Sequence, residues 1–434
     1  MADTVSTQRR PRFFFGWYIV GGSIITNTVL SAAYFQGFSA LFLPIEQHFG
    51  WSRSVISAAM SMRQLESGIA SPLVGFLLDR VRARVIILWS AVLLAAGLIG
   101  LGLTNGVFMF FAAFVVVSLG ASGASHAVTW PVIIARWFRR KRGIAMGLAV
   151  LGPVFGSPFV ILNTSLEETY GWRAVLIGYG LIVLVVVSLV SALARERPEN
   201  YGLRPDGDPA ETDEETDGGA GPGTGERAHD PGLPLRDVLR TKEFWLLMAY
   251  LGGMFAVNSA FQVHQIPYFV QDVGLSPRDA AVSLTLVFVI SGVGRIGGGY
   301  LLDRRDYRLL LAVMAAVMGL SFVYLQLAGV DSVYGTLPFV VLFGVALGTI
   351  IPLRGALGAV LFGTRSIGSV VGLLQGGAVA AGVVGPLFMG IVFDVSGSYR
   401  FAIWTLAITS GLMLPLALIM PSPARLAQRL RDAA

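Results

Sequence analysis

The chain alternates long apolar runs with short polar ones. Twelve apolar segments stand at about 14–40, 54–78, 84–103, 106–135, 143–165, 173–194, 243–270, 279–302, 308–328, 333–352, 366–393 and 400–420. Each approaches or exceeds the roughly 20 residues that a helix needs to cross the hydrocarbon of a bilayer. This pattern predicts an all-α polytopic membrane protein with 12 transmembrane helices. One stretch departs from it. Asp206-Gly-Asp-Pro-Ala-Glu-Thr-Asp-Glu-Glu-Thr-Asp217 runs into Gly218-Gly-Ala-Gly-Pro-Gly-Thr-Gly225, and it cannot bury enough apolar surface to order itself. Residues 195–242 therefore read as a flexible linker between two six-helix bundles, 14–194 and 243–420. Tails are expected at 1–13 and 421–434.

Polar residues inside the apolar runs mark the candidate site. Arg295 interrupts helix 8, and no acidic residue between Asp279 and Asp303 stands at helical spacing from it. A cation at bilayer depth costs roughly 2.5–3.5 kcal/mol on insertion scales, so it faces a protein interior or a wet cavity and takes an anionic partner. That partner is a bound anion or a residue on another helix, of which Glu66 is the candidate. Arg63 and Glu66 share one face of helix 2, three residues apart, and read either as a proton-exchanging pair or as a fixed salt bridge. Asn27, Tyr34, Gln36, His126, Asn163, Asn258, Gln262 and His264 are further polar residues in apolar runs. Taken singly, such residues serve as interhelical hydrogen bonds more often than as ligands.

Composition agrees with a membrane protein. The chain has 434 residues, 54% hydrophobic and 13% charged, with a mean hydropathy of +0.70; a soluble domain carries about 25% charged residues. It contains no cysteine, which excludes disulfides and thiolate chemistry. His48, His126, His229 and His264 lack metal-ligand spacing, and neither a nucleophile constellation nor a phosphate loop is present. No enzyme activity and no cofactor are expected. The net charge of +6 is explained by topology and not by nucleic acid. Of 32 Lys and Arg, 26 fall in the tails and the even-to-odd connections, against four (Arg53, Arg173, Arg278, Arg400) in the odd-to-even connections and two (Arg63, Arg295) within spans. The positive-inside rule then places both termini and the linker in the cytoplasm, in a multi-pass cell-membrane protein.

The two halves repeat. Gly50-Trp-Ser-Arg53 matches Gly274-Leu-Ser-Pro-Arg278, and Gly75-Phe-Leu-Leu-Asp79-Arg80 matches Gly299-Tyr-Leu-Leu-Asp303-Arg304, both offset by 224 residues (274 − 50 and 303 − 79). Gly171-Trp-Arg173 is echoed by Gly397-Ser-Tyr-Arg400. A same-orientation repeat places a substrate site near the midplane, between the halves. Asp79, Arg80, Asp303 and Arg304 sit at helix ends, where charges pair in one conformation and separate in another; they are the candidate gating residues.

Gly75-x-x-x-Asp79-Arg80-x-Arg82-x-Arg84 and its copy from Gly299 to Arg308 resemble the signature of the major facilitator superfamily. Gly37-Phe-Ser-Ala-Leu-Phe-Leu-Pro-Ile-Glu-Gln-His-Phe-Gly-Trp-Ser-Arg53, the stretch Pro131 to Gly147, and Arg295 resemble the monocarboxylate porter and oxalate/formate antiporter branches. The resemblance implies a secondary transporter of a small organic anion, of the monocarboxylate kind, that works by alternating access with protons as coupling ion and functions as a monomer. It implies substrate contact for Arg295, and it raises Tyr34, Asn258 and His126, since helices 1, 4 and 7 line the superfamily's cavity. Glu66 and Arg63 are the proton-coupling candidates. Three departures stand out. Helix 1 has no lysine, Ser291 stands where the porters tend to carry an acidic residue, and no Lys or Arg lies between Arg365 and Arg400. The last weakens the case for a dicarboxylate, which needs a second cation. Gly152-Pro-Val-Phe-Gly-Ser157 partly resembles an antiporter motif of drug exporters, so proton-driven drug export is a second reading. A non-transporting membrane sensor is a third, from another class.

Overall fold

The computed structural model describes residues 14–51, 53–125, 127–156, 158–201, 203–207 and 232–421, leaving undescribed the side chains at 39–40, 42–43, 46, 53–65, 160–161, 164 and 277. His126, the side chain of Arg63, the tail at 1–13 and the acidic core of the linker therefore lie outside the described residues.

Among the described residues, every apolar segment is mostly helical. α1 (Gly16–Leu30) continues through a π turn (Ser31–Phe35) into α2 (Phe38–Phe49), followed by α3 (Arg53–Leu78) and α4 (Ala83–Gly102). The fourth segment is split into α5 (Val107–Ala124) and α6 (Thr129–Trp137). The fifth is split into α7 (Arg142–Ala149), α8 (Gly152–Gly156) and the start of α9 (Phe159–Ser191). The second half holds α10 (Leu235–Arg240), α11 (Lys242–Gln271), α12 (Pro277–Arg304), α13 (Tyr307–Leu327), α14 (Leu337–Phe362), α15 (Ile367–Ser396) and α16 (Arg400–Ile419). Among the described residues, ten stretches are long and apolar enough to cross a membrane, and Glu66–Leu78 and Arg142–Gly156 add two shorter apolar helices. Hydrocarbon offers no hydrogen-bond partners, so a spanning segment must satisfy its backbone internally. That requirement makes these runs helices.

The repeated turn sequences have a conformational cause. Gly50 (φ 64°) and its copy Gly274 (φ 82°) both adopt the left-handed region, as do Gly171 (φ 79°), which turns α9 in mid-course, and Gly397 (φ 69°). A residue with a Cβ is strained there, so the chain reverses at equivalent glycines in both halves. The starts of later helices are capped by side chains. Ser276 accepts from Asp279 N at 3.1 Å, and Asp306 accepts from Arg308 N at 2.9 Å. The Arg308 guanidinium beside it holds the Asp306 carboxyl below its usual range.

Each half builds its own core. Trp130, Phe114, Phe110 and Trp137 are buried in the first, and Phe261, Phe322, Phe339 and Phe343 pack edge-on and stacked in the second. Large side chains such as Phe108, Leu189, Leu327 and Val395 face outward, as a lipid solvent permits.

Two features depart from the expectation drawn from hydropathy. The linker is structured at both flanks. Arg195 stacks on Phe15 and Tyr201, with its guanidinium carbon 3.9 and 4.3 Å from the ring centroids, and Asp206 accepts from the backbone N–H groups of Arg139 and Arg140 at 3.0 and 2.6 Å. At the far flank Leu233 N donates to Phe362 O at 3.0 Å. The second departure concerns α14, which passes through Pro352 and continues to Phe362. Arg354, counted above as a loop cation, is therefore inside a membrane-spanning helix. Proline is tolerated there because neighbouring helices re-satisfy the freed backbone groups.

Candidate functional site

Two equivalent seams join the halves at the end of the bundle that carries the arginine-rich loops, hereafter the basic end. In one, Asp79 at the close of α3 accepts from Gly368 N (3.0 Å), Ser369 N (2.8 Å) and Ser369 Oγ (2.5 Å), at the start of α15. In the other, Asp303 at the close of α12 accepts from Gly143 N (2.6 Å) and Ile144 N (2.9 Å), at the start of α7. The first turn of a helix presents N–H groups without intrahelical partners at the positive end of its dipole. Each aspartate thus caps a helix of the opposite half.

Glycines make these approaches possible. A Cβ on Gly143 would stand 2.1 Å from Gly299 O, and one on Gly75 would stand 2.2 Å from Gly368 O. Gly75 and Gly299 are 224 residues apart (299 − 75), and Gly143 and Gly368 are 225 apart (368 − 143), so the seams are copies. Both expected aspartates are at these contacts. Arg80 and Arg304 are exposed beside them, with Arg304 lying over the Tyr300 ring. Sequence reasoning missed two other arginines. Arg136 stands 3.8 Å from Asp79, and Arg142 donates to Phe138 O and Ala135 O, closing the end of α6.

Arg295 lies in the second seam, nine residues before the end of α12 (304 − 295) and 6% exposed. Its Nη1 donates at 2.5 Å to Val150 O, at the interruption between α7 and α8, and its buried Nε has no hydrogen-bond partner. Glu66 instead accepts from Ser122 Oγ on α5, at 3.3 and 3.4 Å. Among the described residues no carboxylate pairs with Arg295, so the Arg295–Glu66 ion pair does not form in this structure.

A narrow cavity lies next to Arg295, on the interface between the halves. Ser23 of α1, Pro131 and Ile134 of α6, Met146 of α7, Val150 just after it, and Arg354 of α14 line it. Arg354 is half-buried, its Nη1 is enclosed without a hydrogen-bond partner, and its guanidinium carbon stands 5.9 Å from the Phe255 ring centroid. Asn258, one turn along α11 from Phe255, is half-buried and accepts from Gln262 at 2.9 Å. The site is therefore more cationic than the sequence suggested. Tyr34 does not join it: 1% exposed, it packs on Phe114 in the first core, and its hydroxyl bonds Ser118 Oγ at 2.6 Å. Tyr34 stands in the π turn, with its ring and hydroxyl against α5. Asn163 and His264 are likewise held by internal bonds, to Ala32 O and Tyr179 for the first and to Tyr399 and Pro386 O for the second.

Comparison with known proteins bears on the family and the fold. Monocarboxylate transporter 12 of Rattus norvegicus is 26% identical over 467 residues, spanning 98% of this chain and 89% of that protein. The Oxalate:formate antiporter of Oxalobacter formigenes is 22% identical over 308 residues, spanning 70% of this chain and 66% of that protein. The crystal structure of FucP in the outward conformation superposes with a TM-score of 0.70 at 15% identity, covering 93% of this chain and 99% of that one. These likenesses match the twelve-helix, two-half arrangement described above. The family model of the Major Facilitator Superfamily matches residues 24–375 and 265–433, and this chain accordingly belongs to that superfamily, as a multi-pass membrane transporter and not an enzyme.

Proposed function

We propose that this transporter carries a small carboxylate by alternating access, with Arg295 as the residue that holds the carboxylate. The observation that carries the reading is a guanidinium buried at the seam between the halves, with one nitrogen unpartnered and no carboxylate opposite it among the described residues. A planar fork suits a carboxylate bidentately. The names of the relatives point to monocarboxylates or oxalate and formate. Glu66, the titratable carboxylate on α3, is the proton carrier in this reading, since its partner Ser122 is neutral. The basic end is the cytoplasmic one by the distribution of Lys and Arg, so the seams at Asp79 and Asp303 close the cytoplasmic side.

The test is substrate binding and uptake by the purified protein in proteoliposomes. Charge-assisted hydrogen bonds contribute about 1.5–3 kcal/mol. Arg295→Ala is therefore expected to weaken carboxylate binding roughly ten- to a hundredfold or more, with Arg295→Lys in between because it keeps the charge and loses the fork. Unchanged affinity in a folded Arg295→Ala protein refutes the reading and favours the drug-export alternative.

A further inference from the structure

The linker holds the same loop that Asp303 holds. α7 begins after Lys141, whose side chain carries no acceptor to cap the helix start. Two carboxylates from elsewhere do so instead. Asp206 of the linker accepts from Arg139 N (3.0 Å), Arg140 N (2.6 Å) and Lys141 N (3.4 Å). Asp303 of the second half accepts from Gly143 N and Ile144 N. Five of the six successive backbone N–H groups from 139 to 144 are thus taken by the linker and the opposite half together.

Asp206 is itself fixed in place. Among the described residues it is the one non-glycine in the left-handed region (φ 62°), a conformation that persists where the surroundings determine it. Trp137 Nε1 donates to Arg195 O at 2.8 Å, the Arg195 guanidinium lies over Phe15 and Tyr201, and Gly207 stands against Phe14. The other flank of the linker meets the other seam. Gly232 pairs with Gly363, and Leu233 N donates to Phe362 O, just ahead of the start of α15 that Asp79 caps. At the offset of 225, Phe362 and Gly363 correspond to Trp137 and Phe138 (362 − 225 and 363 − 225). Both flanks therefore attach at equivalent loops, each just before a helix start held by an aspartate of the opposite half.

We propose that Asp206 is a positioning residue of the closed basic end: it holds residues 139–141 so that Gly143 N and Ile144 N meet Asp303. The flank of the linker is then a working part of the seam and not a tether. Without Asp206, three N–H groups lose their acceptor and the loop gains freedom, so the cradle for Asp303 must be ordered anew at each closure. That disfavours the closed form. Repulsion between the two carboxylates acts the other way, but Arg142 attracts both of them and offsets it. The inference is independent of the identity of the cargo.

The experiment measures, by pulsed electron resonance on the purified full chain, the distance between spin labels on Arg82→Cys and Arg305→Cys, exposed at the basic end on opposite halves. Asp206→Gly tolerates the left-handed backbone and removes the acceptor, whereas Asp206→Asn tolerates it, keeps one acceptor oxygen and loses the charge. Exposed charge-assisted bonds contribute at the low end of their range. Asp206→Gly should therefore raise the open-to-closed ratio about 3- to 10-fold, with Asp206→Asn between it and the wild type. Coupling to Asp303 is read by combination. In an Asp303→Asn background Asp206→Gly should change the ratio by less than about twofold, whereas in an Asp79→Asn background it should act in full. An unchanged ratio in both Asp206 variants overturns the proposal. So does a shift toward the closed form, which makes Asp206 a competitor of Asp303, and so does an equal shift in the two backgrounds. A lower melting temperature with no change of ratio assigns Asp206 a structural role alone and also overturns it. Where Asp206→Gly does not fold, Asp206→Asn decides by the same comparisons: the ratio should rise about two- to threefold with Asp303 intact and stay put in Asp303→Asn, and any other pattern refutes the inference.

Discussion

Neutralising Asp303 should open the basic end of the molecule. Asp303 accepts two backbone N–H bonds, at 2.6 and 2.9 Å, across the boundary between the halves. Each charge-assisted bond contributes about 1.5–3 kcal/mol, and the helix dipole adds about 0.3–1 kcal/mol. In Asp303→Asn the side-chain amide would keep one acceptor oxygen, forming a neutral bond of about 0.5–1.5 kcal/mol, and would turn its NH₂ toward the other N–H. The closed form then loses about 2–6 kcal/mol, and because Asp303 is half-buried the lower part of that range applies. At about 1.4 kcal/mol per factor of ten, a loss of about 2 kcal/mol shifts the open-to-closed ratio roughly 30-fold. The chain has no cysteine, so spin labels on Arg82→Cys and Arg305→Cys, both exposed at the basic end, give an uncontaminated distance by pulsed electron resonance. The wild type should show one short distance, and Asp303→Asn should add a longer one. Asp79→Asn should act in the same direction, since Asp79 makes three such bonds, and the double variant should be mostly open. Distance distributions indistinguishable from wild type in all three variants would refute the capping argument.

Other consequences are as direct. Gly143→Ala places a methyl 2.1 Å from Gly299 O, and should also populate the long distance, whereas Gly178→Ala, with nothing within 4 Å, should leave it unchanged. Glu66→Gln should abolish proton-driven accumulation while leaving substrate exchange measurable; accumulation with normal pH dependence makes Glu66 a purely structural residue. In intact cells, a single cysteine replacing Arg278 should react with a membrane-impermeant maleimide and one replacing Arg82 should not, and the reverse result inverts the proposed orientation.

The apolar runs by themselves determined that the chain is a bundle of spanning helices, because in hydrocarbon the backbone has few other solutions. The repeat of Gly50 and Gly274, and of Gly75 and Gly299, was legible for a related reason. Left-handed turns and backbone-to-backbone approach both exclude a Cβ, so glycine recurs wherever the fold recurs. Asp79 and Asp303 could be read as paired devices, but not what they grip. Their donors lie 289 and 160 residues away, and only the docking of one half on the other brings free helix-start N–H groups to them. The same holds for Arg295, whose contact with Val150 spans 145 residues and depends on a helix interruption. Arg354 was misplaced because Pro352 followed by a charge mimics the end of a span, whereas α14 continues to Phe362, meeting Pro131 and Met146 at Gly355 and Val371 at Gly358. Tyr34 was a cavity candidate through its helix alone, and in this structure it is held against Phe114 and Ser118 of α5. Hydropathy reports how deep a residue lies; which way it points, and what it meets, was decided by tertiary packing.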